Sequence, residues 1–76
     1  MKKIIIYSTE SCSHCQSAKA YLDRKGFSYE DKNVQSDKAA RQELMDKGYR
    51  GVPIIVIGGI DVVGFDKEKI DQLLEL

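Results

Sequence analysis

Two short stretches leave this chain little choice of fold. Ile4-Ile5-Ile6-Tyr7 and Ile54-Ile55-Val56-Ile57 each set four β-branched or aromatic residues in a row. Such a run has no polar face to turn to water, so each reads as a strand covered on both sides. The cover has to come from a chain of 76 residues, a length that buries only about 60% of the surface its unfolded form exposes. The interior must therefore be compact and regular, and residues 1–76 are expected to form a single domain.

The intervening segments supply the cover. Ser13 to Lys25 has helical spacing, with Cys15, Ala18 and Leu22 on one stripe and Gly26 as a C′ stop. Phe27 to Val34 alternates weakly, carries many charges and reads as a short edge strand. Strand, helix and strand in that order give a right-handed unit with its two strands parallel. Further on, Ser36 or Asp37 can cap a helix running to about Lys47, with Ala40 and Leu44 inward and Gly48 at its end. Gly58-Gly59 suits a two-residue hairpin turn from Ile57 into Ile60 to Val63. Asp66 is a good N-cap for a last helix, where Phe65 and Ile70 take the two positions of a hydrophobic staple and Leu73 and Leu74 join Ile70 at the core. The order βαβαββα predicts an α/β fold, a four-stranded mixed sheet flanked by helices.

Chemistry enters where the first strand gives way to the first helix. Cys12-Ser13-His14-Cys15 sets two thiols three residues apart at a helix start. There the first sulfur sits beside unpaired backbone N–H groups and the positive end of the helix dipole, which favour its thiolate. The second lies one turn on, on the same face, and can attack a mixed disulfide formed on the first. As a staple the pair would do little: a four-residue loop gains roughly 2 kcal/mol, against about 3 kcal/mol for fifteen residues. Structural zinc wants four Cys or His ligands, and Cys12, Cys15 and His14 are all the chain offers, so no metal is expected there. A CxxC in a compact intracellular chain of this pattern reads as a thioredoxin-like redox site.

Charge and hydropathy narrow the partners. Twelve basic and twelve acidic residues cancel, and no stripe of Lys and Arg invites nucleic acid. Met1-Lys2-Lys3 leads into an apolar run, but the run turns polar at Ser8 with no cleavage site after it. Nothing approaches membrane-spanning length. The expectation is a cytoplasmic monomer without membrane or nucleic-acid partners, in a compartment where paired cysteines are catalytic more often than structural.

The element order, the CxxC after the first strand and Val52-Pro53 before the third together resemble the glutaredoxin family, the smallest members of the thioredoxin fold, over nearly the whole chain. In that family an aromatic residue and Ser precede the motif, here Tyr7-Ser8. A Thr-Val-Pro with cis proline comes later, here Gly51-Val52-Pro53, and then a Gly-Gly-Ser-Asp-like segment, here Val63-Gly64-Phe65-Asp66. The resemblance implies a thiol-disulfide oxidoreductase acting on protein disulfides or glutathione mixed disulfides, with no tightly bound cofactor and glutathione as co-substrate.

It also implies roles. Cys12 matches the nucleophile and Cys15 the resolving thiol. Pro53 matches the cis-proline, although X–Pro bonds are cis in only about 5% of folded cases. Val52 matches the residue whose backbone pairs with glutathione. Gly64 and Asp66 match the segment at its γ-glutamyl end, and Arg50 a basic position near its carboxylate. Tyr7 is a candidate ligand platform, with core packing as its other reading. Ser13 and His14 stand where Pro and Tyr are common, which makes them candidates, with Pro53, for tuning the redox potential. Thr9 takes the place of a common Lys, Gly51 of Thr, and Phe65 of Ser or Thr. Gly64-Phe65 is similar instead to the NrdH-redoxins, glutaredoxin-like proteins that draw electrons from thioredoxin reductase. That donor is the alternative to glutathione, and a dimer bridging an iron–sulfur cluster through Cys12 is a further one.

Overall fold

The computed structural model describes residues 3–75; Met1, Lys2 and Leu76, included in the expected domain, lie outside the described residues. Its elements are β1 (Ile4–Ser8), α1 (Ser13–Arg24), β2 (Glu30–Asn33), α2 (Lys38–Asp46), β3 (Ile54–Ile57), β4 (Ile60–Val63) and α3 (Lys67–Leu74). The two apolar runs are neighbours in the middle of a single sheet of order β2-β1-β3-β4. β1 pairs antiparallel with β3, Ile4 opposite Ile57 and Tyr7 opposite Ile54. Parallel β2 and antiparallel β4 form the edges. This is the mixed sheet of a thioredoxin-like fold.

Alternation along the central strands divides the core in two. Ile4, Ile6, Ile55, Ile57 and Val62 meet Ala18, Tyr21 and Leu22 of α1 and Ile70 of α3. On the opposite face Tyr7, Ile54 and Val56 meet Ala40 and Leu44 of α2. Each fully buried Ile or Leu contributes roughly 1.5–3 kcal/mol, so most of the apolar stabilisation lies on the α1/α3 face. The helices begin where side chains accept their first N–H groups. Asp37, rather than Ser36, accepts from Ala39 and Ala40 to start α2, and Asp66 accepts from Lys69 to start α3. Between β3 and β4, Gly58 and Gly59 both take positive φ, 57° and 86°, the mirror-image turn that a tight hairpin needs.

One strand is shorter than expected. Of Phe27 to Val34, only Glu30–Asn33 pairs with β1. The Phe27 N–H instead donates to the Leu22 carbonyl, closing the end of α1. Phe27 and Tyr29 pack against the α1/α3 core, so helix closure and burial take residues the sheet would otherwise use. Among the described residues no helix is long and apolar enough to cross a membrane.

Candidate active site

The site forms where β1 runs out. Cys12, in an extended conformation (φ −89°, ψ 111°), is itself the N-cap of α1. Its sulfur takes the role a Ser or Asp oxygen usually plays, accepting the Cys15 N–H at 3.2 Å. Cys12 is half-buried, whereas Cys15 is 0% exposed within the first turn. The two are not bonded to each other.

Burial pushes the Cys15 thiol up to about 11, helped by its hydrogen bond to Cys12 and by Cys12's charge; the backbone of Thr9 and the Lys19 cation oppose the shift. Cys15 therefore keeps its proton at neutral pH. The two sulfurs differ in kind: one lies at the surface against a helix N-terminus, the other is a protonated reserve behind it.

A second segment closes on the first from β3. The Val52-Pro53 peptide is cis, as the resemblance implies, and the Val52 carbonyl lies 3.9 Å from Cys12 Sγ. The Pro53 carbonyl accepts the Gly64 N–H at 2.8 Å, tying the end of β4 to this loop. Beside them runs an open cleft of about 360 Å³ whose walls include Tyr49, Arg50, Val52, Pro53, Val63 and Gly64. Four of the expected glutathione residues, Arg50, Val52, Pro53 and Gly64, are thus brought together.

The others are not. Asp66 is exposed, lies outside that lining, and has a carboxylate oxygen 3.2 Å from the Lys69 N–H as the cap of α3. Tyr7, a candidate ligand platform with core packing as its other reading, packs in the core. It is 3% exposed, its hydroxyl donates to Glu43 Oε1 at 2.8 Å, and Lys32 Nζ lies over its ring and donates to the same oxygen. The parity of β1 is the reason, since position 7 faces α2 as position 5 does. Ser13 and His14 are exposed on the first turn of α1. Among the described residues no three His, Cys, Asp or Glu side chains gather as a metal site.

Two contributors escape sequence reasoning. Val63, 64% exposed at the end of edge strand β4, presents apolar surface to the cleft; alternation with buried Val62 is the available signal. The Thr9 backbone counters the upward shift of Cys15, which no side-chain pattern reports.

The Glutaredoxin family model matches residues 4–62. Over 73 residues, 95% of this chain and 97% of the relative, the sequence is 42% identical to a glutaredoxin-like 8.6 kDa protein of the rubredoxin operon of Clostridium pasteurianum. It is 30% identical over 71 residues, 93% of this chain and 88% of the relative, to the glutaredoxin-like protein NrdH of Escherichia coli K12. The solved NrdH-redoxin from Escherichia coli, described by its thioredoxin-like activity profile, matches with a TM-score of 0.85 over 93% of each chain. A mutant form of the thioredoxin-like protein BC3987 matches at 0.91, with 39% identity over 99% of this chain and 97% of that one.

Proposed function

The chain belongs to the glutaredoxin family, a family of thiol-disulfide oxidoreductases, and from that membership we propose that it is a dithiol reductase of protein disulfides that draws its electrons from thioredoxin reductase. The observation that carries the two-thiol chemistry is the contrast between half-buried Cys12 and fully buried, protonated Cys15. The Cys12 thiolate attacks one sulfur of a substrate disulfide and expels the other as a thiol. Cys15 loses its proton and attacks Cys12, so the second substrate thiol leaves and a Cys12–Cys15 disulfide remains. Two electrons and two protons have then passed to the substrate. The reductase returns them.

The family resemblance by itself puts glutathione first as donor; this reading reverses the order. Two similar structures are described as thioredoxin-like or as having a thioredoxin-like activity profile. Within this chain the Asp66 carboxylate is engaged in capping α3. Phe65 turns inward to meet the Tyr21 ring at 5.7 Å, and Thr9 supplies no cation. Glutathione remains the second reading, favoured by the cleft of Arg50, Val52 and Gly64 close to Cys12.

A coupled assay tests the proposal. Oxidation of NADPH in the presence of a protein disulfide is followed with thioredoxin reductase in one arm, and with glutathione and glutathione reductase in the other. Rapid turnover in the first arm alone is the expected result. Turnover only with millimolar glutathione overturns the donor assignment.

A further inference from the structure

A polar cluster between α1 and β2 lies one helical turn beyond the dithiol, and Asp31 is its hub. One carboxylate oxygen accepts the Ser8 hydroxyl at 2.7 Å; the other is 2.7 Å from Lys19 Nζ. Ser8 is 1% exposed and the Lys19 side chain 17%, so neither is an ordinary surface group. Burial by itself would raise the Asp31 carboxyl, but its bonds from Lys19 and Ser8 outweigh that and hold it below its usual value. Asp23, one turn along α1, and the Tyr29 hydroxyl share this neighbourhood.

Both ends of the cluster lead to Cys15. Lys19 follows Cys15 by four residues, which sets the two on one face of α1. Ser8 is bonded in sequence to Thr9, whose backbone favours the Cys15 thiolate. The Lys19 charge favours that thiolate too, while burial and Cys12 oppose it. When Cys12 is tied up in a mixed disulfide its sulfur carries no charge. Burial then stands against Thr9 and Lys19 alone.

We propose that Lys19, held by Asp31 and through it by Ser8, is a positioning residue for the second half of the reaction, its cation steadying the Cys15 thiolate that attacks the Cys12 mixed disulfide. This rests on the reading of Cys12 as nucleophile and Cys15 as resolving thiol. In the step, Cys15 releases its proton to water and its sulfur bonds to Cys12 Sγ. The bond from Cys12 to the substrate sulfur breaks, and that sulfur departs as a thiolate and takes up a proton.

Stopped-flow reaction of the reduced protein with one equivalent of dithiobis-nitrobenzoate separates the two halves. The coloured aromatic thiolate leaves once as Cys12 attacks and again as Cys15 resolves. Lys19→Met is expected to leave the first release unchanged and to slow the second about tenfold, its pH profile displaced upward by about one unit; Lys19→Arg restores both. A second release in Lys19→Met and in Lys19→Gln at the wild-type rate and pH profile overturns the proposal. Far-ultraviolet circular dichroism of each variant, matching the wild type, checks that it has folded. Should the wild type release only one equivalent, the division of labour between the two thiols fails instead.

Discussion

The two faces of the sheet are held by different physics. On the α1/α3 face Ile6, Leu22, Ile55, Ile57, Val62 and Ile70 are all completely buried, and apolar contact dominates, with the Tyr21 hydroxyl donating to Asp71 at its rim. On the α2 face the buried cluster is smaller, and polar straps supplement it. Tyr7 and Lys32 converge on Glu43 at one edge; Lys47 and Tyr49 converge on Asp61 at the other. The dithiol is mounted on the dry face, through Cys15 and Ala18 of α1. The cleft beside it borders the strapped face, through Tyr49 and Ile54. Covalent chemistry needs a sulfur held in one place, which dense packing provides, whereas the cleft borders a face supplemented by polar bonds.

The sharpest test of this division removes the sulfurs. Cys12→Ser should abolish disulfide reduction outright. Cys15→Ser should stop at a trapped mixed disulfide on Cys12, visible as a mass increase equal to the substrate thiol. Equal and complete loss of the first chemical step in both variants would erase the distinction between the sulfurs. Next in size comes packing. Leu22→Ala on the dry face should cost about 3 kcal/mol in denaturant unfolding, and Tyr7→Phe on the strapped face about 1 kcal/mol, the worth of one hydrogen bond. Comparable losses would mean that the two faces are not held differently.

The smallest effect is acid sensitivity of the strap. Bonds from Lys32 and then Tyr7 hold the Glu43 carboxyl below its ordinary value of 4.5. A carboxyl lowered by folding adds stability that is present above its unfolded value and disappears as pH falls through the folded one. The melting temperature of the wild type should therefore exceed that of Glu43→Gln at neutral pH, with the gap closing below about pH 4. A gap that is unchanged across this range would show the strap to be electrostatically idle.

Legibility of the sequence follows the range of the forces involved. The Ile runs, the stripe of Ala18 and Leu22, the Gly58-Gly59 turn and the Asp66 cap act within a few residues, and all are readable. The cap of α2 narrows to two residues in the sequence, and the structure selects Asp37. Phe27 and Tyr29 read wrongly as strand because their alternation is real while their partners, in α1 and the core, are distant in sequence. Tyr7 admits both a ligand and a core reading because its place in a motif says nothing of which face of β1 it occupies.

The sequence alone determined that a central sheet is covered on both faces and that two thiols stand at a helix N-terminus, because strand and helix periods and capping chemistry are local. Tertiary structure decided the rest. The Val52 carbonyl comes to Cys12 across forty positions of chain, and β3 and β4 bring Pro53 and Gly64 into one loop cluster. Asp31 reaches from β2 to couple Ser8 with Lys19. The burial that keeps Cys15 protonated is likewise a property of everything packed around it. Such long-range encounters depend on how layers stack, and residue spacing does not record that.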